Sequence, residues 1–254
     1  MLHLGGWAED IDGAGADANL AALLDPLLSI SGDQLRVPTL SNIAMLAAGI
    51  GSGGSGECTL VAPNLREIGN FLISPINGNA DADIEPDDPP KLVDLRGRPL
   101  AMVTGENSSV TFNSNTTAAA FQWALAMFMD SITPMPNGPV RTLRFTNTDT
   151  LTARVWTNGN LTAAQELPAG EYAIVGMRYI GATAIAARAV PRGAGWRPGC
   201  LGGDVDGYED HPMFRYGGLG EWFRFRHDEI PSVDFLADVA DTDQDIFFDV
   251  VKVG

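Results

Sequence analysis

Short runs of apolar or alternating residues, separated by Gly, Pro and Asn, dominate the sequence after residue 56. In one of these runs Leu143 and Phe145 alternate with polar neighbours, as a strand with one buried face requires. Many short strands with closely spaced turns are typical of a β-sandwich or a barrel. The sequence therefore predicts a mainly β domain over residues 57–254. The predicted strands are residues 58–61, 71–73, 100–103, 110–112, 142–146, 151–155, 172–175, 185–187, 222–226 and 246–251.

Two turn signals set the expected connections between these strands. Asn158-Gly159 is a dipeptide typical of tight hairpins, and we expect a turn there. Gly181 and Ala182 lie between the runs at 172–175 and 185–187, which predicts two strands on either side of a short turn.

One long apolar segment lacks strand alternation. Residues 117–129 read TAAAFQWALAMFM, and Gln122 is the only polar residue after the first turn. A helix that is apolar all round is buried on every side or packed against partner subunits. We therefore expect one buried helix to be inserted between the strands.

The first 56 residues differ from the rest of the chain because they are rich in Ala and Leu. Residues 18–28 and 39–50 lack alternation, and Pro38-Thr39 resembles a helix start followed by apolar residues at helical spacing. The sequence predicts a helical N-terminal arm over residues 1–56, ending in the flexible Gly/Ser hinge 49–56.

The charged residues restrict the possible partners. The chain carries 32 Asp and Glu against 16 Lys and Arg, a net charge of −16. Because proteins bind phosphates mainly through Lys and Arg, this acid excess disfavours direct nucleic-acid binding. Only Lys91 and Lys252 are lysines, and arginine suits planar contacts at interfaces. A GC-rich genome explains the same composition equally well.

Three further features concern the compartment of the protein. No apolar run reaches about 18 residues, so we expect no transmembrane segment. The first residues lack the basic start and apolar core of a secretion signal, which predicts synthesis in the cytoplasm. Cys58 and Cys200 have no C-x-x-C spacing. They could form one disulfide, but two buried free thiols are the favoured interpretation.

The sequence contains no recognisable catalytic motif. It lacks a G-x-S-x-G elbow, a phosphate-binding Walker loop and an H-E-x-x-H pair. Its three histidines, His3, His211 and His227, have no spacing typical of a triad or a zinc site. We therefore name no catalytic or cofactor-binding residue and expect a protein that is not an enzyme. Paired carboxylates leave glycoside hydrolysis open as an alternative.

The densest group of potential metal ligands lies in a Gly-flanked loop. Its members are Asp204, Asp206, Glu209, Asp210 and His211. Alternating carboxylates on a tight loop can bind a hard cation, so Asp204, Asp206 and Asp210 are candidate calcium ligands. A solvated loop is the favoured alternative because the later glutamate of an EF-hand is missing. The acidic runs at 81–88 and 241–245 have the same two interpretations.

Four side chains are candidates for an interface: Arg154, Trp156, Trp196 and Trp222. Exposed Trp and Arg side chains frequently anchor subunit contacts. Arg154 is predicted to share a strand face with Trp156 and to form a cation–π pair or an interface contact. The same tryptophans could form a platform for sugars, which leaves carbohydrate binding as a second possibility.

Taken together, these features resemble viral capsid proteins of the jelly-roll type from phage-like viruses. The shared features are short strands with long Pro/Gly loops, the inserted segment 117–129, the N-terminal arm and the lack of a catalytic motif. The resemblance implies a β-sandwich of two four-stranded sheets and self-assembly into trimers or larger capsomers. It also implies contacts with other virion proteins and a location in the virion. The alternative function is a carbohydrate-binding or glycoside-hydrolysing β-sandwich.

Overall fold

The computed structural model describes residues 1–11, 17–25, 29–36, 39–50, 55–64, 71–72, 76–77, 91–114, 120–203 and 216–254. Within these ranges the chain forms β-strands and no α-helix, which confirms the prediction of a mainly β protein. It divides into two compact units. Leu4–Asp130 form the N-terminal unit, and Met1–His3 with Ser131–Gly254 form the C-terminal unit. Most of the predicted arm, from Leu4 to residue 56, belongs to the N-terminal unit.

The strands described in the N-terminal unit form two sheets. They are β1 (Leu2–Ile11), β2 (Asp17–Asn19), β3 (Ser29–Ser31), β4 (Gln34–Arg36), β5 (Asn42–Ile50), β6 (Ser55–Val61), β7 (Phe71–Leu72), β8 (Ile76–Asn77), β9 (Lys91–Asp94), β10 (Leu100–Ala101), β11 (Asn107–Ser114) and β12 (Ala120–Met129). The first sheet has the order β1-β12-β5-β10, and β9 also pairs with β5. The second has the order β3-β4-β11-β6-β7, with β2 on β11 and β8 on β6.

A short segment after β2 joins the edges of these two sheets. β2 pairs with β11, and the next residue, Leu20, donates its backbone N–H to Val110 of β11 at 2.9 Å. Three residues later, Leu23 donates to Gly6 of β1 at 2.8 Å. The chain therefore passes from one sheet to the other with backbone hydrogen bonds to a strand of each.

The two helices predicted from apolar segments are wrong. Residues 120–129 form β12 and residues 42–50 form β5, and the two strands pair antiparallel. Every residue from 121 to 129 and from 43 to 49 is buried. A strand buried on both faces is a continuous apolar run, so it loses the alternation by which a strand is recognised. The predicted arm over residues 1–56 is likewise not helical in its described part, because β1 to β5 lie there.

Trp123 and Gly49 form a cross-strand pair near one end of the ladder between β12 and β5. The indole lies over the glycine, so a Cβ placed on Gly49 would lie 2.6 Å from Cζ2 of Trp123. Trp123 is 2% exposed and has little room to move aside. A large ring therefore fills the space that a missing side chain leaves on the neighbouring strand.

We predict that Gly49→Ala lowers the free energy of unfolding by about 1–3 kcal/mol, because overpacking a buried site forces neighbouring side chains to shift. The matched control is Gly97→Ala, since a Cβ at Gly97 meets no atom within 4 Å. Urea denaturation of both variants measures the difference. Equal free energies of unfolding for the two variants would show that the Trp123 ring moves aside without an energetic cost.

The C-terminal unit has one large sheet. Its described strands are β13 (Val140–Asn147), β14 (Thr157–Gly159), β15 (Thr162–Ala163), β16 (Glu171–Ile180), β17 (Ala184–Val190), β18 (Gly199–Gly203), β19 (Tyr216–Gly217), β20 (Phe223–Arg226), β21 (Ser232–Ala237) and β22 (Gln244–Lys252). The order is β14-β21-β17-β18-β16-β22-β13-β15, and β19 and β20 also pair with β16. Tyr179 of β16 packs against Phe235 of β21 with ring centroids 5.3 Å apart, although β17 and β18 lie between these two strands in the sheet order.

Two connections in this unit differ from the sequence prediction. The strands predicted around Gly181 are present as β16 and β17, but β18 lies between them, parallel to β16 and antiparallel to β17. Asn158 and Gly159 are strand residues of β14 rather than a hairpin turn. Gly159 is needed there for close approach, because a Cβ would lie 2.5 Å from Nδ2 of Asn147. The strand predicted at 151–155 is instead an irregular turn.

The two cysteines are free thiols and both are buried, Cys58 in β6 and Cys200 in β18. Burial raises the pKa of each thiol well above its ordinary value because the low-polarity interior disfavours the thiolate. The favoured interpretation of the sequence, two buried thiols without a disulfide, agrees with this arrangement.

We predict that neither thiol reacts with a disulfide reagent such as DTNB in the native protein, and that both react after unfolding in guanidinium chloride. The reason is that the thiolate is the reacting species and is both shielded and disfavoured at neutral pH. The release of two thiol equivalents only on unfolding is the expected result. Rapid native labelling, or fewer than two equivalents after unfolding without reductant, would contradict it.

Candidate functional site

The candidate calcium ligands Asp204, Asp206 and Asp210 lie outside the described residues, as do Glu209, His211 and the acidic run at 81–88. The run at 241–245 is described, and its carboxylates do not converge. Oδ1 of Asp241 accepts backbone N–H groups from Thr242 at 2.6 Å and Asp243 at 3.2 Å, as in an Asx turn. Among the residues that the structure places, no group of three or more His, Cys, Asp or Glu side chains could hold a metal.

Asp245, the third acid of this run, is held by Arg144 on the neighbouring strand β13. Nε and one terminal nitrogen of Arg144 lie 3.1 and 2.7 Å from the two carboxylate oxygens. This hydrogen-bonded ion pair raises the pKa of Arg144 further. Asp245 therefore stabilises a pair of strands, in the manner of an exposed cross-strand ion pair.

Arg154 pairs with Asp238. Nε of Arg154 donates to Oδ1 of Asp238 at 2.9 Å and to the backbone oxygen of Asp238 at 3.2 Å. Arg154 has a backbone φ of +64°, a conformation that is rare outside glycine. Residues 151–156 form a turn and not the predicted strand, so no shared strand face places Arg154 beside Trp156. The interface role of Arg154 stays a prediction.

Trp156 takes part in a buried charged cluster. Arg188 of β17 lies opposite Asp234 of β21, and Asn158 of β14 lies opposite Asp234 on its other side. Nε of Arg188 donates to Oδ2 of Asp234 at 2.9 Å, and Asn158 donates to Oδ1 at 2.9 Å. The guanidinium carbon of Arg188 lies 4.2 Å from the ring centroid of Trp156, a cation–π contact. The side chains of Arg188 and Asp234 are 1% and 4% exposed.

A second arginine completes the cluster and connects it to the first residues of the chain. A terminal nitrogen of Arg197 donates to Oδ2 of Asp234, the oxygen that Arg188 also contacts. The backbone N–H of Arg197 donates to Nδ1 of His3 at 3.2 Å, and the ring of His3 meets Trp196 edge-on at 6.0 Å. Arg197 therefore holds the buried His3 and the carboxylate at the same time.

This cluster has the chemistry of a structural support. Two guanidinium groups flank one carboxylate, and the contacts of the cluster include no nucleophile poised beside a base. Removing one member of a buried ion pair leaves an unpaired charge in a poorly solvating interior. The sequence signal that could have located the cluster is a charged residue within an apolar run, Arg188 in AIAARAV and Asp234 in SVDFLA.

We predict that Asp234→Asn lowers the free energy of unfolding by about 3 kcal/mol, because Arg188 and Arg197 then lose their shared counter-charge. The matched control is Asp245→Asn, which breaks the ion pair to the half-exposed Arg144 and is expected to cost less than about 1 kcal/mol. Guanidinium chloride denaturation compares the two. A loss no larger for Asp234→Asn than for the control would contradict a stabilising role of the cluster.

The remaining candidate interface residues, Trp196 and Trp222, are half-buried, as Trp156 is. The guanidinium of Arg188 lies over the ring of Trp156, and the ring of His3 meets that of Trp196 edge-on. The backbone N–H of Trp222 donates to Ile174 of β16 at 2.8 Å, which fixes the residue against the sheet. The indoles of Trp156 and Trp196 therefore contribute to internal packing, and the indole nitrogen of Trp222 is buried.

The exposed apolar side chains of the C-terminal unit include a group in one segment. Ile132, Met135 and Val140 are 52%, 49% and 50% exposed, and three prolines lie among them at 134, 136 and 139. The hydroxyl of Thr133 donates to the backbone oxygen of Glu221, which fixes the segment to the unit. Val140 is the first residue of β13, and β13 pairs with β22 over its whole length. On the other side of β13, the described strand β15 pairs only with Phe145 and Thr146.

An open cleft of about 470 Å³ lies between the turn after β17 and the segment before β21. Its floor includes Val190, Pro191 and Pro231, and an ion pair of 2.7 Å between Arg192 and Glu229 lies at its rim. Both charged side chains are exposed, so this cleft has the character of a solvated surface depression.

No protein-family model matches the chain, and no curated protein matches it. One solved structure that matches is the crystal structure of the major capsid protein P2 from bacteriophage PM2. The match covers 100% of this chain and 98% of that chain, at 11% sequence identity and a TM-score of 0.27. A TM-score and an identity this low support no conclusion about fold or function. None of the described residues forms a helix long and apolar enough to cross a membrane.

Proposed function

We propose that this chain is a structural protein that self-assembles into a viral capsid shell and performs no catalysis. The observation that carries the proposal is the exposed apolar surface of Ile132, Met135 and Val140 on a segment fixed to the C-terminal unit. A contiguous exposed apolar patch marks a protein–protein contact, and in this proposal the three side chains form such a patch. The open edge of β13 beyond this segment offers backbone groups to a neighbouring strand.

The partners in this proposal are further copies of the chain, in trimers or larger capsomers, together with other virion proteins. The β-sandwich then has the jelly-roll form, the protein is made in the host cytoplasm, and its final location is the virion. The net charge of −16 favours a shell that encloses its genome without binding it directly. The alternative, carbohydrate binding or glycoside hydrolysis, gains no support from the described tryptophans, which are engaged in internal contacts.

We predict that the purified protein forms large particles, and that replacing Ile132 and Met135 together by Asp abolishes them, because two charges cannot be buried at an apolar contact. Light scattering after gel filtration measures particle size, and negative-stain electron microscopy shows whether the particles are regular shells. The matched control is Leu24→Asp, which adds a charge at a side chain that is 81% exposed in the N-terminal unit.

A monodisperse monomer across a range of salt and protein concentrations would overturn the proposal. If the double variant still forms particles, the chain assembles through another surface, and the surface assigned here is rejected. Glycan binding without particles would favour the carbohydrate alternative instead.

A further inference from the structure

The sequence contains three Asn-Gly pairs, at residues 77–78, 137–138 and 158–159. In such a pair the backbone nitrogen of the glycine can attack the side-chain amide of the asparagine, because glycine has no Cβ to obstruct the approach. The structure places two of the pairs in opposite environments. Residues 137 and 138 lie in an exposed bend, whereas residues 158 and 159 lie in β14. Residue 78 lies outside the described residues.

The bend at Asn137 and Gly138 leaves the reacting groups open to solvent. Both residues are exposed. The prolines at 136 and 139 have no backbone N–H, so Asn137 and Gly138 carry the backbone donors of this bend. Neither of these N–H groups, nor the side-chain amide of Asn137, has a hydrogen-bond partner among the residues that the structure describes. The attacking nitrogen and the amide that it would attack are therefore not held by competing bonds there.

The local fold requires glycine at position 138. Gly138 has a backbone φ of +135°, a conformation that other residues rarely adopt. A Cβ at this position would also lie 2.8 Å from Cγ1 of Val251, which is buried in β22. Because a larger residue does not fit without a shift, Asn137 keeps the neighbour that obstructs the attack least.

Asn158 has the same neighbour but is fixed in a strand. Its Nδ2 donates to Oδ1 of Asp234 at 2.9 Å and to Oγ of Ser232 at 3.1 Å. Asn158 and Gly159 pair with Asp234 and Val233 of β21, and Gly159 is buried. An extended backbone holds the side-chain carbonyl carbon of an asparagine away from the following nitrogen. Reaction at this pair therefore requires β14 to open locally.

We propose that Asn137 is a site of spontaneous deamidation in the folded protein. The backbone nitrogen of Gly138 loses its proton to a solvent base and forms a bond to Cγ of Asn137. The bond from Cγ to Nδ2 then breaks, and Nδ2 takes up protons from solvent and leaves as ammonia. Water adds to either carbonyl carbon of the resulting succinimide, and the bond from that carbon to the ring nitrogen breaks. Opening at Cγ gives aspartate, and opening at the main-chain carbonyl carbon gives isoaspartate. The net reaction consumes water, releases ammonia and involves no oxidation or reduction.

The product adds a negative charge to the segment that exposes Ile132, Met135 and Val140. The consequence for assembly rests on the proposed function, in which this segment forms the contact between copies of the chain. A carboxylate costs more to remove from water than a neutral amide does. Deamidated subunits are therefore expected to assemble less well than intact subunits, which limits the time for which a free subunit stays competent for assembly.

The test incubates the purified native protein at mildly alkaline pH and follows each asparagine by peptide mass spectrometry, with fragmentation that distinguishes isoaspartate from aspartate. We expect Asn137 to convert at least about tenfold faster than Asn158, because Asn158 reacts only when β14 opens. In protein unfolded in guanidinium chloride we expect the two to convert at similar rates, which makes Asn158 an internal control. Isoaspartate is expected among the products, since direct hydrolysis of the amide gives aspartate alone.

Two variants separate the chemistry from its effect on assembly. Asn137→Gln keeps an exposed amide but needs a larger ring to cyclise, so we expect it to lose the conversion at this position. Asn137→Asp carries the charge of the product, and light scattering is expected to show fewer particles than for Asn137→Gln.

An intact Asn137 in native protein, over a time in which Asn158 converts in the unfolded protein, would overturn the proposal. Equal native rates for the two asparagines, or aspartate as the sole product, would overturn it as well. Equal assembly of Asn137→Asp and Asn137→Gln would overturn the effect on assembly. If Asn137 converts as expected but no variant forms particles, the proposed capsid function fails and the deamidation site is supported.

Discussion

The burial of both faces of β5 and β12 is the constraint on which the N-terminal unit depends. A strand with one solvent-exposed face can tolerate polar residues at every second position, whereas the buried stretches of these two strands contain a single polar side chain, that of Gln122. Their side chains must also fit each other across the ladder, as the indole of Trp123 fits over Gly49. The surrounding strands, β1 on one side and β9 and β10 on the other, are arranged around this apolar pair.

The C-terminal unit differs from the N-terminal unit because an ion pair is buried within its sheet. Arg188 and Asp234 face each other on adjacent strands. Arg197 shares Oδ2 of the carboxylate with Arg188, and Asn158 donates to Oδ1. Such a cluster adds directionality that apolar packing lacks, since the hydrogen bonds are satisfied in one register only. It also attaches His3 to a loop almost two hundred residues further along the chain.

The sequence was sufficient to predict the class of fold and several strands. Alternation over β13 indicates a strand with one buried face, and the apolar run within β16 lies beside a turn signal. The sequence could not separate a buried strand from a buried helix in residues 120–129, since either would be apolar at almost every position, as this segment is apart from Gln122. Asn158-Gly159 was misleading because glycine serves close packing as readily as it serves a turn. For the candidate sites, local spacing suggested acidic loops, whereas Arg188 and Asp234 are brought together by pairing between strands that are distant in the sequence. That information is absent from any short window of the chain.

The position of β18 between β16 and β17 has a consequence for how the C-terminal unit folds. Two strands joined by a short turn normally zip together within microseconds from that turn. Here the turn at residues 182–183 cannot start the sheet in this way, because the native neighbour of both strands is β18, which follows later in the chain. β16 must also find β22, some seventy residues away. Assembly of this sheet therefore depends on non-local encounters, which places the unit among slowly folding topologies and leaves its strand edges exposed for longer after synthesis.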